Sequence, residues 1–125
     1  MSTAQVDPVE PIFVLDEFQL KPGMLEPFLE AIESRYRPDA EARGQTLIHT
    51  WVMPPTTTDG VKHAVLLVWR LEGVPGFWRM RSQNSTDEIA AWWSDCEAWI
   101  ESRTRRFATS SSALSGFEAL GRLNA

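Results

Sequence analysis

Two side chains in this sequence stand where they could move a proton. His49 lies in the middle of Gln45–Pro54 (QTLIHTWVMP), a stretch that alternates like a strand. Imidazole titrates near neutral pH, so a histidine there suits general acid or base work. The plainer reading is a hydrogen-bonded histidine in a half-buried strand. Asp16 interrupts an apolar row formed by Ile12, Val14, Phe18 and Leu20. If that row meets helices, the carboxylate sits in a dry site suited to proton abstraction. If it meets a partner subunit, the expectation is a cross-subunit pair with an arginine such as Arg70. Spacing alone leaves both orientations open.

Aromatic residues supply the walls for any such site. Six tryptophans occur in 125 residues. Tryptophan offers a large apolar body and one N–H that needs a partner when buried. Trp51, Trp69, Phe77, Trp78, Trp92 and Trp93 are the candidate ligand-binding residues, with core or interface packing as the plainer reading. Trp92 and Trp93 are adjacent, so on a helix they point roughly 100° apart. Phe77 and Trp78 sit on a short broken helix, the expected edge of a pocket. Cys96, the single cysteine, reads as a small buried hydrophobe. It excludes an intramolecular disulfide.

The motifs that would announce other chemistry are absent. There is no phosphate-binding glycine loop, no dinucleotide fingerprint, no H-E-x-x-H and no C-x-x-C. Pairing the second and third strands about residues 57 and 58 sets His49 opposite 66–67 and His63 opposite 52–53. The two histidines are then too far apart to share a metal, so none is expected. His63, beside a loop, reads as exposed.

These residues must be held by a small set of elements. Residues 1–11 are polar with two prolines and read as a disordered lead. Ile12–Leu20 reads as a strand closed by the Lys21-Pro22-Gly23 turn. A helix follows over MLEPFLEAIESRY, and Pro38 should kink or break it near Arg37, with Gly44 as the later stop. Residues 45–54 and 62–71 form two further strands, the latter the most apolar and so central. A short helix spans Phe77–Arg81. Ser85-x-x-Glu88 reads as a capping box for a long helix reaching Phe107, with Arg103, Arg105 and Arg106 in its last turn. Residues 106–114 offer a possible edge strand, and Phe117, Leu120 and Leu123 a short final helix.

Composition narrows the class. Twelve basic against 17 acidic residues give a net charge of -5, which argues against a nucleic-acid or anionic-membrane partner. The N-terminal stretch lacks the charged and apolar regions of a signal peptide, and no apolar run spans a bilayer, so the expected location is cytoplasmic.

The element order is strand, helix, strand, strand, helix, possible strand. That is the ferredoxin-like α+β unit, an antiparallel sheet with helices on one face. Apolar residues on both faces of the first and third strands call for a second cover. A homodimer closed sheet on sheet supplies it.

The sequence FVLDEFQLKPG (residues 13–23) followed by an amphipathic helix resembles the start of NIPSNAP-like proteins, of the dimeric α+β barrel superfamily. Gly44 before a strand ending in Trp51, VLLVWRL at residues 65–71 and the later Trp-rich helix extend the resemblance over roughly residues 12–107. Where the family's first strand usually carries a Glu-x-Arg pair, this sequence has Val14 and Asp16. The resemblance implies the fold and a dimer more than a reaction. The superfamily includes cofactor-independent monooxygenases, cyclases, isomerases and haem-handling enzymes. Haem-binding relatives place an axial histidine on the long second helix, and residues 86–107 contain none, so no cofactor is expected. The resulting expectation is a homodimer that takes a flat apolar ligand, with a non-catalytic ligand-binding or protein-interaction dimer as the alternative.

Overall fold

The computed structural model describes residues 10–58, 60–83 and 86–117. Strand β1 spans Ile12–Leu20, rich in β-branched and aromatic residues, and ends at a turn where Gly23 takes φ 76°. Helix α1 (Leu25–Ala31), a π-helical turn (Ile32–Tyr36) and helix α2 (Arg37–Ala42) follow as one continuous run. Pro38, expected to kink or break the helix near Arg37, marks a change from the π-helical turn to α2 without ending the run. It lacks an N–H to donate, and the wider turn just before it accommodates the lost bond. Gly44, at φ 92°, stops the run and starts β2 (Thr46–Met53). Strand β3 covers Ala64–Leu71, α3 covers Gly73–Ser82 and α4 covers Asp87–Cys96. Strand β4 (Ile100–Ala108) and a 3₁₀ segment (Ser111–Phe117) close the described chain.

All strand pairs are antiparallel in the order β2-β3-β1-β4, the ferredoxin-like arrangement. β3 is internal, as its apolar character predicts. The row Ile12, Val14, Asp16, Phe18 and Leu20 faces the helices, and all five residues are buried. Phe28, Ile32, Tyr36, Val65, Leu67, Trp69, Leu71, Phe77, Met80, Trp92 and Cys96 complete the core between the layers.

Three elements differ from what the sequence predicts. The helix begun near residue 87 does not reach Phe107. It ends at Cys96, and the chain turns back as β4, earlier than residues 106–114. Helical spacing fits Trp99, Ile100, Arg103 and Phe107, but pairing with the free edge of β1 overrides it. The cap of α4 is Thr86, whose hydroxyl accepts from the Ile89 N–H at 3.3 Å. Ser85, the expected cap, lies outside the described residues, as do the N-terminal lead up to residue 9 and the expected helix through Leu120 and Leu123. Helix α3 begins at Gly73 rather than Phe77, because Pro75 sits in the first turn, where an N–H has no partner to lose.

Candidate functional site

Asp16 and Arg105 are directly opposite one another on β1 and β4. Their side chains both rise on the helix side of the sheet. Arg105 donates from Nε to Asp16 Oδ1 at 2.7 Å and from Nη2 to Oδ2 at 2.9 Å, a two-bond fork. The Asp16 side chain is 0% exposed and that of Arg105 is 18% exposed. Arg105 Nη2 also donates to the Tyr36 hydroxyl at 3.1 Å. A buried carboxylate needs such a partner, because an unpaired charge in a core costs several kcal/mol.

This arrangement decides between the two orientations left open for Asp16. The row faces the helices, so the alternative partner Arg70 is on the opposite sheet face, opposite Phe13. Arg70 pairs instead with Glu72 at 3.5 Å.

Tyr36 comes from the π-helical turn, which carries its ring over the sheet. The ring meets Trp69 edge-on at 5.6 Å, stacks on Trp92 at 5.2 Å and tilts against Trp93 at 5.3 Å. Burial raises the Tyr36 pKa above its ordinary value, against the opposing charge of Arg105. The phenol therefore keeps its proton at neutral pH. Its oxygen accepts from Arg105 while its own O–H stays available to donate. Burial works against the charge of Arg105, but the Asp16 hydrogen bonds and charge raise its pKa overall. Arg103, one pleat away, lies with its guanidinium 3.6 Å from the Trp93 ring centroid. Burial, then the neighbouring Arg105 charge, lowers its pKa.

A cleft of about 370 Å³ leads in from solvent between the first helical run and α4. Arg35, Tyr36, Asp39, Glu88, Ala91 and Trp92 line it.

The remaining sequence candidates fall into three places. Trp69, Trp92 and Trp93 join the Tyr36 cluster. Phe77 is buried beneath Trp78, which is 45% exposed, and both lie on α3 with rings 5.4 Å apart. Phe77 also packs edge-on against Phe107 of β4 at 5.2 Å. His49 and Trp51 lie on the opposite side of the sheet, stacked on each other at 4.5 Å, with Trp51 50% exposed. A bulge at Ile48 causes this. It sends Leu47 to the helix side and His49, Trp51 and Met53 to the outer side, where a regular strand would keep all four together. Asp16 and His49 thus never meet.

His63 is buried rather than exposed. Its Nε2 donates to the Thr56 carbonyl at 2.5 Å, tying Thr56, beyond the end of β2, to the residue that precedes β3. Cys96 is fully buried, and burial pushes its thiol pKa up to about 12, the behaviour of an inert hydrophobe. Among the described residues, no three histidine, cysteine or carboxylate side chains gather as a metal site would require.

The sequence reading missed Tyr36 and Arg105 as site residues. Tyr36 looks like one more apolar position on a helix face, and Arg105 looks like a helix-terminal cation. One signal was present. A lone acid inside an apolar strand row demands a cation, and the segment Arg103-Thr104-Arg105-Arg106 contains three.

No family model matches the chain, and no curated protein does. Solved structures do. A NIPSNAP family protein of unknown function from Agrobacterium tumefaciens superposes with a TM-score of 0.64 at 10% identity, covering 83% of this chain and 91% of that one. The chain has a NIPSNAP-like α+β fold. A NIPSNAP domain protein from Burkholderia xenovorans gives 0.60 at 12% identity, covering 80% and 94%. A Nitrosomonas europaea protein provisionally named an antibiotic biosynthesis monooxygenase gives 0.56 at 11% identity, covering 86% and 96%. At such identities the NIPSNAP-like resemblance establishes shape alone.

Proposed function

We propose that this NIPSNAP-like protein binds a flat, largely apolar small molecule between its helices and its sheet. The Tyr36 cluster carries this reading: one buried ring touches three tryptophans while its hydroxyl joins the Asp16–Arg105 pair. Apolar walls with a few convergent polar groups are the usual composition of a small-molecule site. The cleft between the first helical run and α4 ends on this cluster and supplies the entrance.

In this reading Asp16 is a positioning residue. Its two oxygens are engaged by Arg105, so it holds the guanidinium and, through it, the Tyr36 hydroxyl. Tyr36 is the group that meets the ligand, as a hydrogen-bond and proton donor to a ligand oxygen. A cyclase, isomerase or cofactor-independent monooxygenase would use such a donor to stabilise a developing enolate. The name of the Nitrosomonas neighbour favours the last of these.

The proposed assembly is a cytoplasmic homodimer closed through the outer sheet face. Phe13, Leu15 and Leu66, each half-buried, form its apolar centre around the already covered Val68, beside Trp51 and Met53 at 50% and 41% exposure. Monomeric proteins seldom leave so continuous an apolar face in water. Among the described residues no helix is long and apolar enough to cross a membrane. A non-catalytic dimer that binds a partner protein is the second reading. It is favoured by the exposed His49–Trp51 stack.

Quenching of tryptophan fluorescence by a panel of aromatic compounds tests the binding reading. Turnover of any binder by Tyr36→Phe, Asp16→Asn and His49→Ala variants then tests the chemistry. Loss in the first two with none in the third supports a Tyr36 donor held by Asp16. Loss only in His49→Ala moves the chemistry to the outer face. No quenching by any compound selects the protein-partner reading.

A further inference from the structure

A second set of buried polar atoms lies on Arg43, Gln45 and two of the tryptophans that touch Tyr36, and no hydrogen bond among the described residues satisfies them. Gln45 is 0% exposed, and both its amide nitrogen and its oxygen are buried without a partner. Arg43 is 6% exposed. Its Nη1 donates to Asp39, while its Nε and Nη2 are buried and unpartnered. The indole N–H groups of Trp69 and Trp92 are in the same state. Most buried polar groups find partners, so these orphans call for an explanation.

Three of these four side chains meet at the Tyr36 ring. The Arg43 guanidinium lies 5.7 Å from the Tyr36 centroid, and the Trp69 and Trp92 rings touch the same phenol. Gln45 is two residues from Arg43, across the Gly44 turn, at the head of β2. Leu47, the next residue of β2 on the helix side, lies opposite Trp69. The Arg43 partner Asp39 lines the entrance cleft. The chemical type is equally uniform. Two guanidinium nitrogens, one amide nitrogen and two indole nitrogens are donors, against the single Gln45 oxygen. Buried, unpartnered donors beside an arginine suit an oxyanion, and a planar carboxylate matches a guanidinium best.

We propose that the ligand is a flat aromatic acid whose carboxylate is held by Arg43, Gln45 and the Trp69 indole N–H, with its ring against Tyr36 and Trp92. This rests on the ligand-binding reading above and names the substrate class for it.

The test uses three probes of one shape: 2-naphthoate, 2-methylnaphthalene and 2-naphthylmethylammonium. Binding to the full chain is followed by tryptophan quenching and by calorimetry. The expected result is naphthoate binding at least about tenfold tighter than methylnaphthalene, with the cation weakest. Gln45→Leu and Arg43→Met should each remove that preference, bringing the naphthoate and methylnaphthalene affinities together. The melting temperature of Gln45→Leu should equal or exceed that of the parent, because an orphaned amide is removed, whereas a purely structural Gln45 would make the variant less stable. Equal binding of acid and hydrocarbon, or an unchanged preference in both variants, overturns the carboxylate site and leaves the apolar pocket standing. Failure of all three probes to bind overturns both.

Discussion

Arg105 of β4 grips Asp16 of β1 through two parallel hydrogen bonds of 2.7 and 2.9 Å, 89 residues apart in sequence and directly opposite in the sheet. The pair ties the edge strand to the core and reaches Tyr36 on the helical layer, so one guanidinium joins three elements.

Removing one member of this pair should be costly. Arg105→Met strands a carboxylate in the core, and loss of one partner of a buried pair typically costs about 3–5 kcal/mol. The partial exposure of Arg105 puts the expectation near the lower end, about 3 kcal/mol at neutral pH. Asp16→Leu combined with Arg105→Met should recover most of that loss. Urea unfolding of both variants measures it, and a double variant no better than the single one would contradict a strict pairing role.

Tyr36→Phe separates packing from hydrogen bonding. The ring contacts with Trp69, Trp92 and Trp93 survive, so only the single bond from Arg105 is lost, about 1 kcal/mol. Tyr36→Ala removes the ring as well and should cost about 3–5 kcal/mol, as large aromatic deletions do. Thermal unfolding of the two variants in parallel gives the comparison.

Alkaline pH should weaken the fold. Burial pushes the Cys96 thiol up to about 12 from its ordinary 9.0, and also raises Tyr36 above its ordinary 10.0. The unfolded chain therefore releases protons that the folded chain retains. Stability from these groups is complete below about pH 9 and is lost as pH rises toward 12. Denaturant midpoints measured from pH 7 to 11 should fall along this arm. At pH 8 a thiol reagent should modify native Cys96 only at the rate of opening.

The outer sheet face gives a prediction about assembly. Leu66→Glu places a charge at the centre of that face without touching the core, since Leu66 alternates with the buried Val65 and Leu67. Sedimentation should show a dimer for the parent chain and a monomer for the variant, with unchanged circular dichroism. A parent chain that sediments as a monomer at micromolar concentration removes the dimer proposal.

Much of the fold was legible locally. Alternation and turn residues delimited β1 and β3, helical spacing marked the run from Leu25, and the excess of apolar sheet surface followed from counting faces. The family resemblance rested on the same short-range features. Asp16 was recognisable as a residue needing explanation, because a single acid breaks an apolar row whatever surrounds it.

What the sequence left open were the choices made between distant segments. Residues 100–107 satisfy helical and strand spacing alike, and only the unpaired edge of β1 selects the strand. That choice moves Arg105 from a solvated helix end to a bond with Asp16. A one-residue bulge at Ile48 assigns His49 and Trp51 to the face away from Tyr36, and no local propensity specifies it. Local periodicity fixes which side chains share a face. Which faces meet, and so which charges lie together out of water, is decided by long-range pairing and packing.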